Sequence, residues 1–210
     1  MIRMRKIFEP VILSCLTAFA TLLWGFETLA GEMMEGDTHA IDTHLLMLLR
    51  NAHDPASPIG PLWLQDAMRD VTALGSTVVL SLITLLAFLY LLMHKKPGRA
   101  VYLAATVISG TLLSNWLKAS FGRPRPDFIP HDMTVFTASF PSGHSLMSAV
   151  VYLSLGILLA DAHPDRRIKI FLMATAALLT VAIGFSRVYL GVHWPSDVLV
   201  GSGMGLLLAP

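Results

Sequence analysis

The chain has 210 residues, a length that suits one domain, and it is 54% hydrophobic and only 14% charged. That balance is too apolar for an ordinary soluble domain. A net charge of +1 gives no footprint for nucleic acid, and the single cysteine, Cys15, excludes an intrachain disulfide or a cysteine metal site.

A helix that crosses ~30 Å of hydrocarbon needs ~20 mostly apolar residues. Six runs are candidates: 11–30, 72–93, 100–117, 145–160, 168–185 and 198–209. The first has a basic start and small residues near its end, as a cleaved signal peptide does, but its length favours a retained helix. Between the first two runs lies the acidic segment 31–70. There Ile41, Leu45, Leu48 and Leu49 recur at helical spacing, opposite Asp42 and Arg50. This predicts a short amphipathic helix on the outer surface, broken by Pro55, Pro58 and Pro61, with Trp63 near the interface. The last run is short and is expected to begin near Trp194 or Pro195, since proline is tolerated in a first turn. The expected fold class is therefore all-α: an integral membrane bundle of six transmembrane helices, one domain over 1–210, with a surface helix between spans one and two.

Basic residues set the orientation. Arg3, Arg5 and Lys6 precede the first run, Lys95, Lys96 and Arg99 follow the second, and Arg166, Arg167 and Lys169 follow the fourth. These segments alternate so as to share one side, which the positive-inside rule makes cytoplasmic. The acidic loop 31–70 and the segments 118–144 and 186–197 then share the outer face.

Those two segments carry the chemistry. Lys118, Arg123 and Arg125 close the third run, and Arg187 closes the fifth. A phosphoryl group in transfer spreads charge over three oxygens, which Arg grips through a planar fork and Lys as a point charge. Helix-end anchoring is the plainer reading, but surplus basic residues belong on the other side. Arg123 alone is expected to face lipid head groups. Pro141-Ser142-Gly143-His144 opens the fourth run. Ser142 can cap the helix, Gly143 lets a backbone amide approach an anion, and His144 stands beside that site. His193 and Asp197 are four apart across Pro195. A carboxylate in the first helical turn can hold one ring nitrogen and leave the other for attack at phosphorus. Two histidines can divide the labour, one attacking and one protonating the leaving oxygen, with water then hydrolysing a phosphohistidine. The scheme needs no metal or other cofactor. Zinc on His144, His193 and Asp197 is disfavoured by the neighbouring cations.

Lys118 followed by six residues and Arg125-Pro126, then Pro141-Ser142-Gly143-His144, then Ser186-Arg187 with His193 and Asp197, together resemble the motifs of the type 2 phosphatidic acid phosphatase superfamily, which shares its pocket with vanadium haloperoxidases. The resemblance covers roughly residues 70–200. It implies that Lys118, Arg125 and Arg187 bind phosphate with help from Ser142 and Gly143, that His193 attacks, that Asp197 orients it, and that His144 is the acid. It also implies a six-helix bundle in a bacterial inner membrane, acting without metal on a lipid phosphate or pyrophosphate presented at the periplasmic face. The stretch 70–76 is similar to one common in bacterial members. The short last run, without a basic tail, is the one departure. A phosphotransferase using the same phosphohistidine step is the alternative. Halide oxidation is disfavoured by the apolar runs, and a silent receptor by the presence of both histidines. The lipid, its phosphate number, oligomeric state and protein partners are not readable.

Overall fold

In a computed structural model, residues 25, 28, 31, 38–126 and 137–209 are described. These residues carry seven helices with defined ends: α1 (His39–Met47), α2 (Leu62–Ala73), α3 (Thr77–Met93), α4 (Pro97–Phe121), α5 (Gly143–Ala162), α6 (Arg166–Tyr189) and α7 (Pro195–Leu208). No strand is present among the described residues. The expected first span, 11–30, and Cys15 with it, lies outside the described residues apart from Gly25 and Thr28.

Three helices, α4, α5 and α6, are long and apolar enough to cross a membrane. The expected span 72–93 is not one straight helix. It is α3 preceded by α2, bent by 44° at a short break; counted together the pair makes a fourth crossing. The break follows from capping: Ser76 is extended, and its side chain accepts from the Val79 amide, starting a new helix. Pro61 likewise stands as the N-cap of α2, so the loop 31–70 holds two helices where one was expected. At 14 residues α7 is shorter than a span, and it starts at Pro195 as its proline allows.

The core lies along α5, which packs chiefly against α6 and α7. Its inward residues are small or branched, including Ser145, Ser148, Ala149, Val150, Ser154 and Gly156. Small residues let helix backbones approach closely where lipid offers no hydrophobic driving force. The α5–α7 crossing shows it best. A Cβ at Gly205 would stand 2.4 Å from the Leu146 carbonyl oxygen, and one at Gly201 2.7 Å from that of Ser142. Large apolar side chains point outward instead: Leu82, Leu85 and Leu86 on α3, Ile108, Leu112 and Trp116 on α4, and Phe171, Leu178 and Val181 on α6 are exposed. A water-soluble fold would bury such a belt; lipid tolerates it.

Around helix α1 the polar set faces the protein and the apolar set faces out. Ile41, Leu45 and Leu48 are exposed, whereas Asp42 is 2% and Arg50 4% exposed. Leu46 is the apolar residue that turns inward, packing with Val188 and Trp194. The polar side faces in because it has partners there. The Arg50 guanidinium donates to the carbonyls of Val188 and Tyr189, which end α6.

Candidate active site

The residues singled out in the sequence come from four helix ends. Lys118 is in the last turn of α4 and Arg187 in the last turn of α6. His144 is in the first turn of α5, and Asp197 is in the first turn of α7. Arg125 and His193 lie in the connecting segments. Lys118, Arg125, Gly143, His144, Arg187 and His193 all line one cavity of about 290 Å³. The cavity runs on between α3, α4 and α5 past Thr77, Ser81, Thr111 and Met147.

The cations are held by main-chain carbonyls and threonine hydroxyls. Lys118 Nζ donates to the Ala138 carbonyl at 2.8 Å. Arg125 donates through Nε to Thr137 O at 2.9 Å and through Nη1 to Val192 O at 2.6 Å. Burial lowers the Arg125 pKa from its ordinary value, with Asp197 opposing the shift. Arg187 donates to Thr72 Oγ1 at 3.0 Å, while its buried Nε makes no hydrogen bond among the described residues. A buried guanidinium nitrogen without an acceptor is costly unless a ligand supplies one.

His193 is 1% exposed. Its Nε2 lies 3.0 Å from Arg125 Nη1. Arginine only donates, so Nε2 carries the lone pair and the proton sits on Nδ1. Nδ1 faces Asp197 Oδ2 at 3.5 Å and Ser139 Oγ at 3.4 Å, both long for hydrogen bonds. Burial pushes the His193 pKa down to about 3, against an opposing pull from Asp197. The ring is therefore neutral at ordinary pH.

Asp197 is fully buried and engaged on both oxygens. Oδ1 accepts from Arg123 at 2.6 Å; Oδ2 accepts from the Trp194 amide at 3.1 Å and from the Ser139 hydroxyl. Arg123 thus faces carboxylates, not lipid head groups: it is 5% exposed, and its other nitrogen pairs with Asp42 at 2.8 Å. Its guanidinium also stands 5.7 Å from the centre of the Trp194 ring, whose Nε1 donates to Pro124 O. These contacts tie the first block to the third.

Ser142 and Gly143 part company. Ser142 is buried outside the cavity lining, caps α5, and gives its amide to the Asp197 carbonyl at 3.1 Å. Gly143 lines the cavity. A Cβ there would meet Ser114 Oγ at 3.5 Å and Lys118 Cε at 3.6 Å, ordinary contacts. Packing therefore does not demand glycine at this position.

Four participants escaped the sequence reading: Asp42, Thr72, Arg123 as a carboxylate partner, and Ser139. Only Arg123 carried a signal, its place between Gly122 and Pro124 beside Arg125. Among the described residues no group of three His, Cys, Asp or Glu side chains is placed to hold a metal ion.

The model of the PAP2 superfamily matches residues 99–210. Phosphatidylglycerophosphatase B of Bacillus subtilis (strain 168) is 34% identical over 149 residues, covering 70% of this chain and 72% of that protein. A lipid A 1-phosphatase of Rhizobium etli is 34% identical over 114 residues, which cover 50% of this chain and 44% of that protein, so the chain spans under half of that relative. Among solved structures, the transmembrane PAP2 type phosphatidylglycerolphosphate phosphatase from Bacillus subtilis superposes with a TM-score of 0.76 at 30% identity, covering 90% of each chain. With a matching family model, an aligned relative and a shared fold, this chain belongs to the PAP2 superfamily.

Proposed function

We propose that this protein is a multi-pass membrane phosphatase that removes phosphate from a lipid through a phosphohistidine, without a metal. The observation that carries the reading is the convergence of Lys118, Arg125, Arg187, His144 and His193 on one cavity at one end of the apolar helices. The phosphate would sit among the three cations, with the Gly143 amide and Arg187 Nε, which makes no hydrogen bond among the described residues, supplying further donors. Its oxygens can replace the carbonyls that Arg125 and Lys118 now hold, moving Arg125 off His193 Nε2.

In the first step the Nε2 lone pair attacks phosphorus and the phosphorus–oxygen bond to the lipid breaks. His144 gives its proton to the departing alkoxide. Nδ1 keeps its proton, and Asp197 stabilises the resulting cationic ring. In the second step water attacks phosphorus, His144 takes the water proton, and the bond from phosphorus to Nε2 breaks. Both histidines return to their starting forms.

The relatives and the cavity support a lipid phosphate as substrate. The aligned phosphatidylglycerophosphatase and lipid A phosphatase are named for lipid phosphates, and the cavity runs between helices where a tail can lie. A glycerophospholipid phosphate monoester is the favoured substrate. We place the site on the outer, periplasmic face of a bacterial inner membrane. Lys95, Lys96, Arg99, Arg166 and Arg167 lie at the helix ends opposite the cavity. A single domain of six spans, with α7 as the short last one and α1 laying its exposed leucines in the membrane interface, completes the arrangement.

The test is phosphate release from phosphatidylglycerophosphate in mixed micelles, with phosphatidic acid and undecaprenyl pyrophosphate in parallel. Release that survives EDTA and is blocked by vanadate is the expected result. Activity abolished by EDTA and restored by a divalent ion would overturn the metal-free reading. Transfer of the phosphoryl group to an added lipid alcohol in preference to water would make the protein a phosphotransferase.

A further inference from the structure

One buried charged cluster has no part in the steps above. Asp42, on α1, is 2% exposed. Its carboxylate accepts from Arg123 Nη2 at 2.8 Å and from the Ser196 amide at 2.9 Å, and it also takes the Ser196 hydroxyl. The same guanidinium turns Nη1 to Asp197 Oδ1 at 2.6 Å and to Ser196 Oγ at 2.9 Å. One buried arginine is therefore shared by two buried carboxylates, and the second of them stands behind His193.

Charge counting gives the consequence. A carboxylate alone with a buried guanidinium is largely neutralised by it and has little attraction left for a cation on its other side. The His193 ring becomes cationic when Nε2 takes up the phosphoryl group. Asp42 draws on the charge of Arg123, so the pair of carboxylates keeps a net negative charge, expressed at Asp197. The geometry also sets orientation: Arg123 holds Oδ1, which leaves Oδ2 toward Nδ1. We propose that Asp42 is a positioning residue for the reaction: acting through Arg123, it keeps Asp197 aimed at His193 and negatively charged toward it. Helix α1 is then part of the working site rather than a cover over it. The inference rests on His193 being the nucleophile.

The experiment compares Asp42→Asn with wild type in the micelle assay, turnover being normalised to protein recovered as a single folded peak. The variant is isosteric, and its side-chain oxygen still accepts from Ser196. The expected result is a kcat about tenfold lower, one pK unit's worth of lost stabilisation, with KM unchanged. The decisive arm is the Asp197→Asn background. There Asp42→Asn should change kcat no further, because its effect passes through Asp197. A role in folding alone would give full kcat per folded molecule, or losses that multiply in the double variant; either overturns the inference. Arg123→Lys, which keeps the charge and loses the fork, is read the same way should Asp42→Asn not fold. His193→Ala runs alongside. Full turnover there would sink the nucleophile assignment itself, whereas inactive His193→Ala with unaffected Asp42→Asn would sink only the present proposal.

Discussion

The two sides of the cavity are built to different standards. On one side, His193 and Asp197 are buried to 1% and 0% exposure, and both carboxylate oxygens are engaged by neighbouring groups. On the other, Lys118 and Arg125 hold mainly main-chain carbonyls of 137–138 and 192, with the Thr137 hydroxyl and His193 Nε2 as further Arg125 partners, and Arg187 Nε has no acceptor among the described residues. The first side is enclosed by buried partners; the second holds partners that a phosphate can replace. A nucleophile gains from fixed aim, because a small misplacement costs much of the rate. Anion-binding cations gain from being charged and exchangeable, since they must let the product go.

The sharpest break of this contrast is at His193. His193→Ala should lower turnover by roughly a thousandfold or more, with the protein still folded, because the attacking nitrogen is removed. Phosphate release within tenfold of wild type would show that the rigid side is not where bond making occurs. On the exchangeable side, Arg187→Ala should cost roughly a hundredfold in kcat/KM, as removal of one preorganised donor does, and vanadate inhibition should weaken in parallel. A loss confined to turnover, with vanadate affinity intact, would argue against an anion-binding role. His144→Ala separates acid catalysis from both. The loss should be roughly a hundredfold for an alkyl phosphate and far less for p-nitrophenyl phosphate, whose leaving group needs no proton. Equal losses on the two substrates would remove His144 from that role.

The smallest effect concerns stability. Burial holds His193 at about 3, below its ordinary value of 6.5. The unfolded chain therefore binds a proton that the native ring refuses. The contribution of His193 to stability is full above about pH 6.5 and is lost as pH drops toward 3. His193→Gln should flatten the fall of the thermal midpoint between pH 6.5 and pH 4, and an unchanged slope would place the acid sensitivity elsewhere.

The histidines, cations and helix ends were legible in the chain because each is a local property. Apolar runs are contiguous, and the blocks 118–126, 141–144 and 186–197 each fit within a turn or two of backbone. Helix bounds moved by a few residues where caps decided them, and the expected span 72–93 gained a bend at Ser76. The inward partners of helix α1 were not legible for a different reason. Periodicity separates the leucines from Asp42 and Arg50 but does not say which set faces the protein. In lipid, apolar side chains lose nothing by facing out, so the usual inference from apolar to inside fails. Ser142 was read as an anion contact, whereas its amide is taken up by the Asp197 carbonyl.

What the sequence by itself determined is the inventory and its grouping: a helical chain with two histidines, three cations and a carboxylate at helix ends that share one end of the bundle. Only the tertiary structure decided how those groups are held. The proton on His193 Nδ1 is assigned because Arg125, a donor, faces Nε2. Arg123 belongs to Asp42 and Asp197 because three segments far apart in the chain bury one guanidinium between two carboxylates. Pairings at separations of 74 and 81 residues leave no periodic trace, since they depend on how helices cross and not on how any one of them is composed.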